Sequence, residues 1–80
     1  MDNMEEVVRN LGEQPIARLM AERGLKGKDL VAASTEQITH KMVSRACKGR
    51  RLTRHAQSKV INAFNKAAGT TCGLKDLFTY

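Results

Sequence analysis

Tryptophan is absent from this 80-residue sequence, and one Tyr and two Phe are its whole aromatic complement. Sheets draw their packed faces from aromatic and β-branched residues, so an interior left to Leu, Ile, Val, Met and Ala points to packed helices. A single Pro and six Gly supply too few turn signals for a barrel of many short strands. The two cysteines, Cys47 and Cys72, have no second Cys or His at metal-ligand spacing, which argues against a zinc site. No stretch approaches the ~20 apolar residues of a membrane span, and residues 1–12 lack the long apolar core of a secretory leader. The expectation is a cytoplasmic chain with reduced thiols, no metal, no cofactor and no membrane partner.

Carboxylates are missing from most of the second half. Residues 1–36 hold seven acids against five bases, net −2, whereas residues 37–80 hold one acid against nine bases, net +8. Between Gln37 and Lys75 there is no Asp or Glu at all. An ordinary solvated basic face interleaves Glu for i,i+4 pairing. Its omission, with an overall charge of +6 and a pI near 9.8, points to a polyanionic partner.

Eighty residues make one domain with one modest core. Met4, Val7, Val8 and Leu11 recur at helical spacing, with Asn3 and Glu6 placed as a capping box, so residues 1–14 read as a leading amphipathic helix stopped at Gly12. Pro15 suits the first turn of a second helix, with Ile16, Leu19 and Met20 as its stripe and Gly24 as its stop. A short helix over 28–33 carries Leu30 and Val31, entered at Gly27 and left at Ser34 and Thr35. Thr39 is placed to cap a helix reaching Lys48, and Gly49 to end it. Thr53 caps the next, over 54–68, with Ala56, Val60, Ile61, Phe64 and Ala67 as its seam and Gly69 as its stop. Leu74, Leu77 and Phe78 form a last short helix closing the core. The expected fold is an all-α bundle of five or six helices whose core includes Ile16, Leu19, Leu30, Val43, Ala46, Val60, Ile61, Phe64 and Leu77. Met20 and Met42 read as core filling and Cys47 as a small buried hydrophobe.

The 39–48 helix carries the most information. At ~100° per residue, Met42, Val43, Ala46 and Cys47 fall on one side. His40, Lys41, Ser44, Arg45 and Lys48 share roughly a 140° arc on the other. Two short helices joined by a turn, the second with a basic outer face, then a basic loop and a longer apolar helix, make the pattern of a helix-turn-helix domain over 15–80.

Ile16, Leu19, Glu22-Arg23-Gly24-Leu25, Leu30, Val43-Ser44-Arg45, Gly49 and Leu74-Lys75-Asp76-Leu77 occur in an order that resembles the phage-repressor and Cro-like (XRE-type) family. The resemblance covers about residues 15–80 and implies a lambda-repressor-like fold. It also implies a transcriptional regulator, a repressor, that binds double-stranded DNA as a homodimer and lies with the nucleoid. The sequence departs from the family pattern at Lys26-Gly27, where a small cap and a Gln are usual, in a longer 34–38 turn without glycine, and at Cys47, where an acid is common.

Carried over by position, the resemblance places base reading on His40, Lys41, Ser44 and Arg45, in agreement with the polar arc. Arg45 and Lys41 suit the O6 and N7 acceptors of guanine, while His40 and Ser44 donate or accept. Thr39, Lys48, Arg50, Arg51 and Arg54 are placed for phosphates, which set register without reading sequence. His55 and Lys59 read as surface residues. Two alternatives stand beside this reading, a nonspecific nucleic-acid binder and a helical adaptor or antirepressor that has lost DNA binding. With Phe64 expected in the core and Phe78 and Tyr80 far along the chain, no aromatic pair forms a platform for stacking single-stranded bases. An enzyme is not expected, since Cys47, Cys72, His40 and His55 show no nucleophile–base–orienter spacing, and no small-molecule ligand is expected.

Overall fold

A computed structural model describes residues 11–80 of the chain. The leading helix expected around Met4, Val7 and Val8 lies outside the described residues. Residues 11–14 are not helical. Among the described residues the chain is all-helical, with five helices and no strand: α1 Pro15–Glu22, α2 Gly27–Ala33, α3 His40–Lys48, α4 Arg54–Ala68 and α5 Leu74–Leu77.

Local chemistry accounts for each boundary. Pro15 occupies the first turn of α1, where its missing N–H leaves no helical bond unmade. That helix closes through Gly24, with φ +69°. The Gly24 amide bonds the Ala21 carbonyl at 3.1 Å and the Leu25 amide bonds the Met20 carbonyl at 2.8 Å, the pairing of a Schellman stop. At α2 the capping carboxylate comes from within the helix, because Asp29 Oδ2 accepts from the Lys26 amide at 2.7 Å. Thr39 and Thr53 cap α3 and α4 as expected, their hydroxyl oxygens accepting from the Met42 and Ala56 amides, each at 3.1 Å. Both helices end at glycines in the left-handed region, Gly49 and Gly69.

Helix α4 is the central strut, packed against α2, α3 and α5, while α1 packs against α3 and α5. The core between them comprises Ile16, Met20, Leu30, Ile38, Val43, Ala46, Val60, Ala63, Phe64, Leu77 and Phe78. Leu19 and Ile61, expected inside, are half-buried against it. Met42, expected as core filling, is also half-buried. The seam of α4 is rotated toward Gln57 and Ala63 relative to the apolar pattern, because this helix serves neighbours on several sides. Gln57 is buried with it, and its Nε2 has no hydrogen-bond partner among the described residues.

The connection between α2 and α3 is long but tethered. Ser34 Oγ accepts from the Glu36 amide at 3.0 Å and donates to the Glu36 carbonyl at 2.7 Å. Glu36 Oε2 in turn accepts from Asn62 Nδ2 of α4 at 3.0 Å, and Ile38 is buried. These contacts tie the longer 34–38 turn to itself and to α4.

Two contacts of long sequence separation tie the chain together. Gln14, only 2% exposed, accepts at Oε1 from the Thr79 amide at 2.6 Å and the Thr79 hydroxyl at 3.0 Å. Its Nε2 donates to the Gly12 carbonyl at 2.9 Å and its amide to the Cys47 carbonyl at 3.0 Å. A buried amide that satisfies its oxygen twice in this way stabilises the junction it occupies. The second contact is the approach of Gly12 to Gly49, so close that a Cβ at Gly49 would overlap the Gly12 carbonyl oxygen.

Candidate nucleic-acid interface

Helix α3 presents two distinct faces. Val43 and Ala46 are buried, Met42 and Cys47 are half-buried, and His40, Lys41, Ser44, Arg45 and Lys48 are exposed. The exposed set coincides with the polar arc read from the sequence. Burial of Val43 and Ala46 fixes the rotation of the helix, so the outward aim of Lys41 and Arg45 follows from core packing.

The Gly49 stop turns the chain out of α3. The Gly49 amide bonds the Ala46 carbonyl at 3.4 Å, and the Arg50 amide bonds the Arg45 carbonyl at 3.0 Å. Arg50 and Arg51 follow on an exposed loop, and Arg54 opens α4, also exposed. His55 is exposed and Lys59 partly covered on the flank of α4.

A groove of about 290 Å³ runs between α3 and the beginning of α4. Lys41, Arg45 and Arg51 supply its charge, Thr39 and Thr53 its hydroxyls, and Met42, Leu52 and Ala56 its apolar surface. Of the expected site residues, the fold thus brings Thr39, Lys41, Arg45 and Arg51 together. His40, Ser44 and Lys48 lie on the exposed side of α3 but outside the groove, and Arg50 and Arg54 also lie outside it. No carboxylate of the described residues pairs with Lys41, Arg45, Lys48, Arg50, Arg51 or Arg54. Among the described residues the positive field of this face is therefore not offset by a paired carboxylate, which favours a polyanionic partner.

Tyr80 belongs to this face and was missed in the sequence. Its hydroxyl accepts from the Leu52 amide at 3.1 Å and donates to the Arg50 carbonyl at 3.2 Å. The Arg51 guanidinium lies 5.8 Å from its ring centroid. No local spacing signals this, since the partners are 28 and 30 residues apart.

Cys47 lies on the flank of α3, its thiol 3.7 Å from Met20 Sδ. Burial, and secondarily the negative charge of Glu13, push its pKa above the ordinary value of 9.0. A thiol held protonated in this way is a poor nucleophile. Among the described residues no three His, Cys, Asp or Glu side chains gather as metal ligands, and no helix is long and apolar enough to cross a membrane.

Comparison of the chain with protein-family models, with curated proteins and with solved structures finds no match.

Proposed function

We propose that this chain is a sequence-specific double-stranded DNA-binding regulator of transcription, a repressor, in which α2 and α3 act as a helix-turn-helix pair and α3 enters the major groove. The observation that carries the reading is the exposed face of α3, continuous with the 50–54 segment and free of carboxylates among the described residues. With its side chains an α-helix is about 10–12 Å across, a diameter that a major groove about 12 Å wide admits, and the nine residues of α3 extend about 13.5 Å along it. Arg45 and Lys41 meet guanine O6 and N7, with His40 and Ser44 beside them, while Thr39, Lys48, Arg50, Arg51 and Arg54 hold phosphates. A two-fold homodimer places two copies of α3 about one helical turn apart on the duplex.

Selection of duplex sites from a random pool, followed by binding of variants over a range of salt, tests this. Arg45→Ala relaxes base preference at one position per half-site and costs about 1–3 kcal/mol on the best site, with little loss on random duplex. Removing the Arg50 and Arg51 side chains together weakens all duplexes alike. That double change also flattens the dependence of log K on log salt by about two units per subunit, since each neutralised phosphate contributes roughly −0.9. If Arg45→Ala weakens every sequence equally, α3 does not read bases and binding is nonspecific. Absence of duplex binding at low salt leaves the adaptor reading in its place.

A further inference from the structure

We propose that Tyr80 is a positioning residue for the basic loop, ordering the backbone on both sides of Arg51 and aiming that side chain at the groove it shares with Lys41 and Arg45; the inference rests on the duplex-binding reading above. The Tyr80 hydroxyl bonds the Arg50 carbonyl and the Leu52 amide, the two backbone groups that bracket Arg51. The same ring lies 5.8 Å from the Arg51 guanidinium, within the ~6 Å reach of a cation–π contact. One side chain therefore holds Arg51 by its backbone and by its charge.

Tyr80 is itself anchored. Its ring packs against that of Phe78 in a T-shaped arrangement at a centroid distance of 5.6 Å, and Phe78 is a core residue. Between them Thr79 is bonded twice to the buried Gln14. Three successive residues are thus tied to the core, the start of α1 and the loop. An exposed Arg pair on an unsupported loop loses backbone and rotamer freedom when it meets phosphate. Ordering the loop beforehand removes part of that cost from the binding step. The benefit is independent of base sequence, because Arg51 is assigned to phosphate.

The test compares wild type, Tyr80→Phe, the Arg50→Ala/Arg51→Ala double variant and the triple combination, on a selected and a random duplex. Phe keeps the ring, its packing and its stacking face, and loses only the hydroxyl. Tyr80→Phe is expected to weaken both duplexes by about fivefold, the scale of one net hydrogen bond. In the background lacking Arg50 and Arg51 it is expected to have no further effect, because Tyr80 then has nothing to position. Equal weakening in both backgrounds overturns the inference and assigns Tyr80 to general stability.

Amide exchange of the free protein is read in parallel and needs no DNA. The Leu52 amide of the wild type is expected to be protected, and in Tyr80→Phe to exchange faster while the Val60 and Phe64 amides stay unchanged. Exchange of wild-type Leu52 at the rate of an open loop also overturns the inference, whatever the variant does. If wild type binds no duplex, the proposed function fails and the DNA role of Tyr80 with it. Duplex binding that is unaltered in Tyr80→Phe overturns the inference alone.

Discussion

Gly49 joins α3 to the basic loop, and its replacement by Ala is expected to cost far more than the same change at Gly69. Both residues end a helix in the left-handed region, with φ of +85° and +70°, where a side chain costs roughly 1–2 kcal/mol. Gly69 bears only this cost, since nothing lies within 4 Å of a Cβ built there. At Gly49 the new Cβ overlaps the Gly12 carbonyl, a backbone group that cannot turn aside as a flexible side chain does. The 11–14 segment must therefore move away from the end of α3. Moving it endangers the bond from the Leu11 amide to the Gly49 carbonyl, 2.8 Å, and that from the Gln14 amide to the Cys47 carbonyl, 3.0 Å. At about 0.5–1.5 kcal/mol net for each hydrogen bond, the total for Gly49→Ala is about 2–5 kcal/mol. A chain of this length has only about 4–12 kcal/mol of stability. In a domain this small each kcal/mol shifts the melting temperature by roughly 4–8 °C, so Gly49→Ala should melt about 10–40 °C below wild type and Gly69→Ala about 5–15 °C below. Thermal unfolding followed by far-UV circular dichroism reads both directly. Equal melting temperatures for the two variants would refute the close approach of Gly12 to the end of α3.

Two further outcomes are expected. Phe64, fully buried in the second half of α4, should cost about 3–5 kcal/mol when changed to Ala, through lost burial and the cavity left behind; chemical denaturation checks it, and a wild-type midpoint would refute the packing described for α4. Cys47 titrates above its ordinary value chiefly because burial disfavours the thiolate. Folding therefore favours the protonated thiol, and this contribution is complete below the unfolded-chain pKa and declines as pH rises through and above it. Cys47→Ala should remove that alkaline loss, seen as a shallower fall of stability between about pH 8 and 10, and an unchanged pH profile would count against the buried thiol.

Helix boundaries were legible because their determinants are local. Thr39, Gly49, Thr53 and Gly69 act within one turn of where they stand, through a cap bond or a positive φ, and each lies where its spacing from the apolar stripe puts it. The two faces of α3 were legible for the same reason, since a period of 3.6 residues in a helix of nine leaves little choice once Val43 and Ala46 are inside. The choice among half-buried neighbours was not. Leu19 and Ile61 are as apolar as residues in the core, yet Met20 and Ala63 lie deeper, because depth depends on which partner helix faces each position. Ile38 was hidden in a segment without periodicity, and its burial depends on the fold of the whole α2–α3 connection.

By itself the sequence determined the all-helical class, the ends of the helices, the solvent-facing row on α3 and the absence of acids from Gln37 to Lys75, all set by composition, short-range sterics and hydrogen bonds within a turn. Tertiary structure alone decided that Arg51 shares a groove with Lys41 and Arg45, that Gly12 abuts Gly49, that Gln14 holds Thr79, and that Tyr80 holds the basic loop. Those contacts join residues up to 65 positions apart, and no periodicity along the chain encodes them. They exist because packing α1, α3, α4 and α5 around one core closes the intervening loops and brings their ends to the same place.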